Sequence, residues 1–348
     1  MSPLNKNSLQ KILIVGVGSM GMKYIKIIQE YYPQLKVGVL TRNKDNGLNV
    51  TLPVEYIFDN IQEALSFKPD AAIFSNPASL HVEFAKPFAK KGVNLLIEKP
   101  LSNNYREAAE LVSICESKNV ICMMAYNLRY LPSLIEFKNL LDQERVGDIY
   151  SIKSEAGSYL PKWREDQDYR SSVSAQKFLG GGVLNELSHE LDYIQWIFGA
   201  IKWVSASLTK QSKLEIDVED SCSMILGIAD ENKKRELIST VNLDFIRHDS
   251  TRCCLVTGSR GSLKWNGLEG TVEFFPSDDG TSWRKIYSEK DDMFTSYIEE
   301  VEHFFNSIQA NKQPVNSGRN GLKILQVIEA AKESSNSGKV VKIDKSLI

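Results

Sequence analysis

The chain has little of what a disulfide framework, a zinc site or a membrane anchor needs. It holds five cysteines, an odd number, and no two of them form a CxxC pair; Cys253 and Cys254 are adjacent inside an apparent strand. The pattern excludes a disulfide scaffold and a cysteine zinc site, no metal is expected, and the thiols read as those of a reduced cytosolic protein. No apolar run approaches the roughly 20 residues a membrane span requires. The first ten residues, MSPLNKNSLQ, are polar with no signal-peptide core, so a cytoplasmic location and no membrane partner are expected. Blocks of basic residues are missing and the formal net charge is -2, which argues against nucleic acid as a partner. Internal repeats and low-complexity segments are also absent. Histidine is scarce, with four residues in 348, so each one is worth placing.

What is present is ordinary globular composition, 42% hydrophobic and 25% charged, at a length that suits two domains. In the first third, KILIV (11–15), KVGVL (36–40), AAIFS (71–75), NLLIE (94–98) and VICMM (120–124) are apolar without alternation. Residues 20–31, 60–67, 79–91 and 104–118 between them have helical spacing. Continuous apolar strands separated by helices predict a parallel sheet covered on both faces, a doubly wound α/β domain over 1–125. The remainder, 126–348, reads differently: a helix over 132–143, a strand over 148–157, and a long polar loop. A glycine-entered helix, GGGVLNELSHELDYIQWIFG (180–199), comes next. From 202 to 289 the runs IKWVSASLT, SCSMILGIA, ELISTVNLDF, RCCLVTG, TVEFF and WRKIY suit an antiparallel sheet, and two helices (292–311 and 319–334) and a short strand VVKI close the chain.

VGVGSMG (15–21) follows the first strand and opens the first helix. Gly16, Gly18 and Gly21 give GxGxxG, whose glycines allow a tight turn and close backbone approach while the helix N-terminus offers N–H groups to a pyrophosphate. The alternative is a glycine turn with no ligand. At the end of the second strand, where an NAD site usually has an acid for the ribose 2′-hydroxyl, the sequence reads VLTRN. Thr41, Arg42 and nearby Lys44 supply cations and no anion, favouring a 2′-phosphate and hence NADP over NAD; the alternative is that Arg42 and Lys44 only solvate a loop.

Two stretches are candidates for chemistry. Glu98-Lys99-Pro100 ends the strand NLLIE, where ligands bind in open α/β sheets, and Pro100 restricts Lys99 to extended backbone. A solvated rim is the competing reading. In the 180–199 helix, Val183, Leu184, Leu187, Leu191, Ile194 and Phe198 form an apolar stripe. Glu186, His189, Tyr193 and Trp196 line a neighbouring one, so that His189 is oriented by Glu186 or Asn185 as a general acid/base. An ordinary helix histidine paired with acids is the alternative. His81, in SNPASLH after the strand AAIFS, is placed to border the cofactor. The 159–170 loop, rich in Tyr, Trp, Arg and Asp, suits stacking on a sugar ring, with Arg164 or Arg170 for a phosphate; otherwise it is a plain surface loop.

With these residues assembled, the chain resembles the glucose-fructose oxidoreductase / inositol 2-dehydrogenase / MocA-type family over nearly its whole length. GVGSMG, SNPASLH, EKPLS, AYNLRYLPS, GGGVLNELSHELDYIQWIFG and VTGSRGSLKWNG carry the resemblance. It implies a Rossmann domain plus a C-terminal α+β domain with a large open, mostly antiparallel sheet, through which members associate as homodimers or homotetramers. It also implies that Lys99, often before a cis-proline (here Pro100), and His189 are the chemical residues. The acid that usually partners the histidine sits four residues earlier, where this chain has Asn185; Glu186 is three earlier. The expected cofactor contacts are Gly16, Gly18, Ser19, Met20, Gly21, Thr41, Arg42, Asn76, His81, Glu98, Lys99 and Asn127. The expected substrate contacts are Lys99, Asn127, Trp163, Arg164, Tyr169, Asn185 and His189, with Lys99, His189 and Glu186 as the catalytic group. The implied reaction is hydride transfer between a nicotinamide and a carbinol or carbonyl of a sugar, sugar phosphate, nucleotide sugar or polyol. Two other classes stay open: a non-catalytic dinucleotide-sensing regulator, and a reductase of a non-sugar ring or imine.

Overall fold

Strands with no polar face have to be covered on both sides, and the apolar runs of the first third are. The computed structural model describes residues 9–41, 54–165, 167–230, 235–278, 280–290 and 292–343. The early elements are β1 (Lys11–Val15), α1 (Ser19–Tyr31), β2 (Lys36–Leu40), β3 (Tyr56–Phe58), α2 (Ile61–Ser66), β4 (Ala71–Phe74), α3 (His81–Lys90), β5 (Asn94–Glu98), α4 (Tyr105–Ser117) and β6 (Cys122–Ala125). Six strands form one parallel sheet in the order β3-β2-β1-β4-β5-β6, with the order reversing about β1 and β4. Ile12, Leu13, Ile14, Ile73, Phe74, Leu95, Leu96 and Ile97 are all fully shielded. Two helix starts follow from local chemistry: the Asn60 and Asn104 side chains accept from the Glu63 and Glu107 N–H groups, capping α2 and α4. The edge strand β3 was not foreseen, because three half-exposed residues make no pattern.

The second series is α5 (Pro132–Asp142), β7 (Ile149–Gly157), α6 (Val183–Glu186), α7 (His189–Phe198), β8 (Ile201–Thr209), β9 (Ser221–Asp230), β10 (Arg235–Asp244), β11 (Thr251–Gly258), β12 (Gly261–Asn266), β13 (Thr271–Pro276), β14 (Arg284–Ser288), α8 (Met293–Ala310), α9 (Gly318–Ser337) and β15 (Val341–Lys342). Nine strands form a second sheet, β14-β13-β12-β11-β7-β10-β9-β8-β15, antiparallel except for the parallel pair β7 and β10. Alternation is plain in β10, where Leu237, Ser239, Val241 and Leu243 point inward and Ile238 outward. On the covered face, Trp265 of β12 is fully buried and its indole N–H donates to Ser133 Oγ of α5 at 2.7 Å. Tyr193 of α7 stacks edge-on to Trp265, and its hydroxyl hydrogen-bonds Ser154 Oγ of β7 at 2.6 Å. Strand β12 was not among the expected strands; its GSLKWN alternation is short and begins on glycine.

The chain divides into two compact units, 1–125 with 297–322, and 126–296 with 323–348. Residues 297–322, expected inside a second domain spanning 126–348, thus group with the first unit. Among the described residues, no helix is long and apolar enough to cross a membrane.

Candidate active site

The turn after β1 uses its three glycines for three different reasons. Gly16 has φ +92°, and a Cβ there would stand 2.8 Å from the Asn76 backbone nitrogen. A Cβ on Gly21 would collide with the Gly16 carbonyl, so this glycine lets α1 seat against the turn. Among the described residues beyond its chain neighbours, nothing lies within 4 Å of a Cβ at Gly18, leaving space at the start of α1 beside exposed Ser19 and partly exposed Met20. The Ser75 hydroxyl lies 3.0 Å from the Gly16 carbonyl oxygen and 3.1 Å from that of Val15, fastening the turn to the end of β4. Next to it, both polar atoms of the Asn76 carboxamide are buried with no hydrogen-bond partner. Such atoms cost roughly 1–3 kcal/mol each until something pairs with them. A tight glycine turn, an open helix start and an unspent amide together fit a dinucleotide. Thr41 is buried at the end of β2; Arg42 and Lys44 lie outside the described residues.

The Glu98-Lys99-Pro100 stretch is at the carboxyl end of β5, and the Lys99–Pro100 peptide is cis. Glu98 turns toward protein. Its Oε1 accepts from the Tyr24 hydroxyl at 2.9 Å and its Oε2 from the Lys99 backbone N–H at 3.2 Å. Burial raises its pKa, against the neighbouring charges of Lys99 and Lys23. Lys99 is half-buried. His81, expected beside the cofactor, is 1% exposed with both ring nitrogens on backbone carbonyls: Nδ1 at 3.0 Å from Pro100 O and Nε2 at 2.8 Å from Asn76 O. It ties the Asn76 segment to the Lys99 loop. Burial lowers its pKa to about 4, although the facing carbonyls favour the charged ring.

The pattern over 180–199 predicts one helix; the structure breaks it. After Gly180 (φ +89°) and Gly182 (φ +108°), α6 runs four residues, and α7 starts again at His189. At Gly182 a side chain would meet the Glu219 carboxylate, whose Oε1 accepts the Leu184 N–H at 3.2 Å. The expected Glu186, His189, Tyr193, Trp196 stripe is therefore corrected. Tyr193 is core, Trp196 is half-buried with the Arg129 guanidinium 5.3 Å from its ring, and Glu186 sits on a different helix from His189. The apolar stripe is buried as its spacing demanded. His189 is half-buried, edge-on to Tyr126 with ring centroids 5.6 Å apart. The Asn185 amide donates to the Gly180 and Gly181 carbonyls at 2.9 and 3.1 Å, and its oxygen faces Lys332 Nζ at 3.4 Å; it holds the glycine loop.

Two buried ion pairs anchor α7 and were missed. Asp192 accepts two hydrogen bonds of 2.7 Å from Arg129, with both side chains almost completely shielded, and Glu190 pairs with Arg252 at 2.8 Å. The signal was available: Glu190 and Asp192 adjoin Leu191 on an otherwise apolar helix, and acids so placed need a cation. Asn127 is buried and donates to Ser296 Oγ at 2.8 Å. In the 159–170 loop, the Trp163 indole N–H reaches Ser158 Oγ at 2.6 Å and its ring lies against Phe245. The Tyr169 hydroxyl accepts from the Glu215 N–H, Arg170 is neutralised by Asp168 and Glu215, and Arg164 is exposed. Among the described residues, no group of three or more His, Cys, Asp and Glu side chains is arranged to hold a metal ion.

Comparison with known proteins adds the following. Residues 10–126 match the Gfo/Idh/MocA "Oxidoreductase family, NAD-binding Rossmann fold" and residues 138–343 the "Oxidoreductase family, C-terminal alpha/beta domain". Levoglucosan dehydrogenase of Pseudarthrobacter phenanthrenivorans is 29% identical over 137 residues, 39% of this chain and 34% of that protein. D-xylose 1-dehydrogenase (NADP(+)) 2 of Haloferax volcanii is 22% identical over 280 residues, 79% of this chain and 81% of that one. A levoglucosan dehydrogenase structure, complexed with NADH and levoglucosan, superposes with a TM-score of 0.83 at 18% identity, covering 97% of this chain and 100% of the other.

Proposed function

The chain belongs to the Gfo/Idh/MocA oxidoreductase family, and from that membership we propose that it transfers a hydride between a nicotinamide dinucleotide and a carbinol or carbonyl of a sugar, sugar phosphate, nucleotide sugar or polyol. The observation that carries this reading is the dinucleotide cradle: space at Gly18, and the partnerless amide of Asn76, whose backbone packs against Gly16 of the same turn. The relatives named as sugar dehydrogenases support the substrate class.

When bound, the dinucleotide supplies or accepts the hydride. Gly16, Gly18, Ser19, Met20 and Gly21 hold its pyrophosphate on backbone N–H groups, and Asn76 pairs its spare donor and acceptor with the bound molecule. NADP is favoured over NAD on the cations Arg42 and Lys44 after Thr41. Loss of a hydroxyl proton from the substrate leaves negative charge on oxygen. Lys99, a compact ammonium on rigid backbone, donates to that oxygen. His189 takes or returns the proton, and Glu186, across the break between α6 and α7, stays a candidate for orienting it. Asn185, the other candidate partner, donates its amide to the carbonyls of the glycine loop. Asn127, Trp163, Arg164 and Tyr169 are the remaining candidates for substrate contact.

A panel of sugars, sugar phosphates, nucleotide sugars and polyols, assayed with NADP and NAD in both directions, tests the reading. Lys99→Met and His189→Ala are each expected to lower kcat by about two or more orders of magnitude, the upper range of acid/base and charge-stabilising contributions, while dinucleotide binding survives. Turnover near that of the unaltered chain in both variants contradicts the assignment. Dinucleotide binding with no turnover on any panel member points to the regulatory alternative.

A further inference from the structure

Behind the Lys99 loop lies a cluster that the hydride-transfer account leaves unused. The Tyr24 hydroxyl of α1 stands 2.9 Å from Glu98 Oε1 and 3.2 Å from Glu300 Oε2 of α8. Tyr24 and Glu300 are completely buried, and residues 24, 98 and 300 all belong to the first unit. Charged and titratable neighbours among the described residues include Lys99, which follows Glu98; Lys23, whose ammonium lies 3.8 Å from the Tyr297 ring centroid; and Tyr297, edge-on to Tyr24.

One phenol has one proton to donate. If both carboxyl groups were ionised, that proton would serve one of them. The other carboxylate would then face the phenol oxygen lone pair to lone pair, beside a phenol and a Glu300 carboxyl that are both fully buried. A second proton resolves both contacts: one carboxyl donates to the phenol oxygen, and the phenol donates to the other carboxylate. Glu98 uses its second oxygen to accept the Lys99 N–H, so the chain of hydrogen bonds ends on the backbone of the residue that meets the substrate.

We propose that Glu300, Tyr24 and Glu98 form a carboxyl–phenol–carboxylate chain that retains one shared proton at neutral pH and fixes the Lys99 backbone, making all three positioning residues for the reaction. The role of the chain in turnover rests on the reading of Lys99 as the group that contacts substrate. The retained proton does not, and it is measurable without any substrate. Burial works against two ionised carboxyls here: it raises the Glu98 pKa against the charges of Lys99 and Lys23, which favours one proton held between the pair.

The test is infrared spectroscopy of the full chain at neutral pH, following the C=O stretch of a protonated, buried carboxyl. The band is expected in the unaltered chain and lost in both Glu98→Gln and Glu300→Gln, since either substitution removes the need for the second proton. No band, or a band unchanged in both variants, overturns the shared proton. Turnover is the second readout. Glu300→Gln retains a neutral donor toward Tyr24 and is expected to keep kcat within about threefold. Tyr24→Phe and Glu300→Ala are each expected to lose about tenfold in kcat, the worth of one hydrogen bond, with the dinucleotide KM unchanged. Equal kcat in Glu300→Gln and Glu300→Ala overturns the positioning role. If the chain binds no dinucleotide and turns over nothing, the functional reading fails while the infrared band still decides the proton.

Discussion

A neutral imidazole has one N–H, yet His81 faces backbone carbonyls at both ring nitrogens. The arrangement makes this residue a proton-linked clamp on the Asn76 and Lys99 segments. Its folded pKa, lowered to about 4 mainly by burial, lies below the ordinary value of 6.5. The unfolded chain therefore takes up this proton before the folded one does. The stability that His81 contributes is full above pH 6.5 and is lost as pH falls toward 4, by about 3 kcal/mol at most. Urea unfolding from pH 7 to pH 4.5 is expected to show a shallower loss of stability for His81→Gln than for the unaltered chain. Parallel pH dependences would contradict the clamp. None of this was legible locally. The motif SNPASLH marks His81 as worth watching, but the acceptor from Pro100 comes from another loop. Glu98 is similar: its neighbours in sequence suggested a charge that either faces the cofactor or balances Lys99, while its hydrogen-bond partner Tyr24 is 74 residues away.

At the scale of elements, the helix over 180–199 shows where periodicity stops being a guide. The apolar stripe is real, but the positive-φ glycines and the Glu219 carboxylate under Gly182 fix where α6 starts, and the chain breaks again at Leu187–Ser188, so α6 and α7 are separate and His189 opens the second. What then holds α7 is its buried acid. Removing one partner of a shielded ion pair leaves an uncompensated charge, so Arg129→Met and Asp192→Asn are each expected to cost about 3–5 kcal/mol. The apolar double replacement Arg129→Met with Asp192→Leu is expected to recover much of that loss. Denaturant midpoints measure both; a cost below about 1 kcal/mol for either single change would mean the pair contributes little.

Over the whole molecule, the parallel sheet was readable because strands covered on both faces need no polar side, and five apolar runs separated by helical spacing admit few other arrangements. The second sheet was readable as a set of strands but not as an order. The parallel pairing of β7 with β10 is decided by contacts nearly 90 residues apart. Nor does the amphipathic spacing of α8 and α9 say where they pack, so the return of 297–322 to the first unit could not be foreseen. The dinucleotide cradle lies between these extremes: its glycines are local, while Asn76 comes from the turn after β4.

That cradle is where the account is most exposed. Gly18 has φ near −66°, and among the described residues beyond its chain neighbours no atom lies within 4 Å of a Cβ there, so Gly18→Ala is expected to add a methyl group where a pyrophosphate would approach. Fluorescence titration with NADPH and NADH, beside thermal unfolding, is the direct measurement. The unaltered chain is expected to bind NADPH more tightly than NADH, and Gly18→Ala to keep its Tm while losing about tenfold or more in affinity. A chain that binds neither dinucleotide, or a Gly18→Ala variant that binds as well as its parent, would contradict the account.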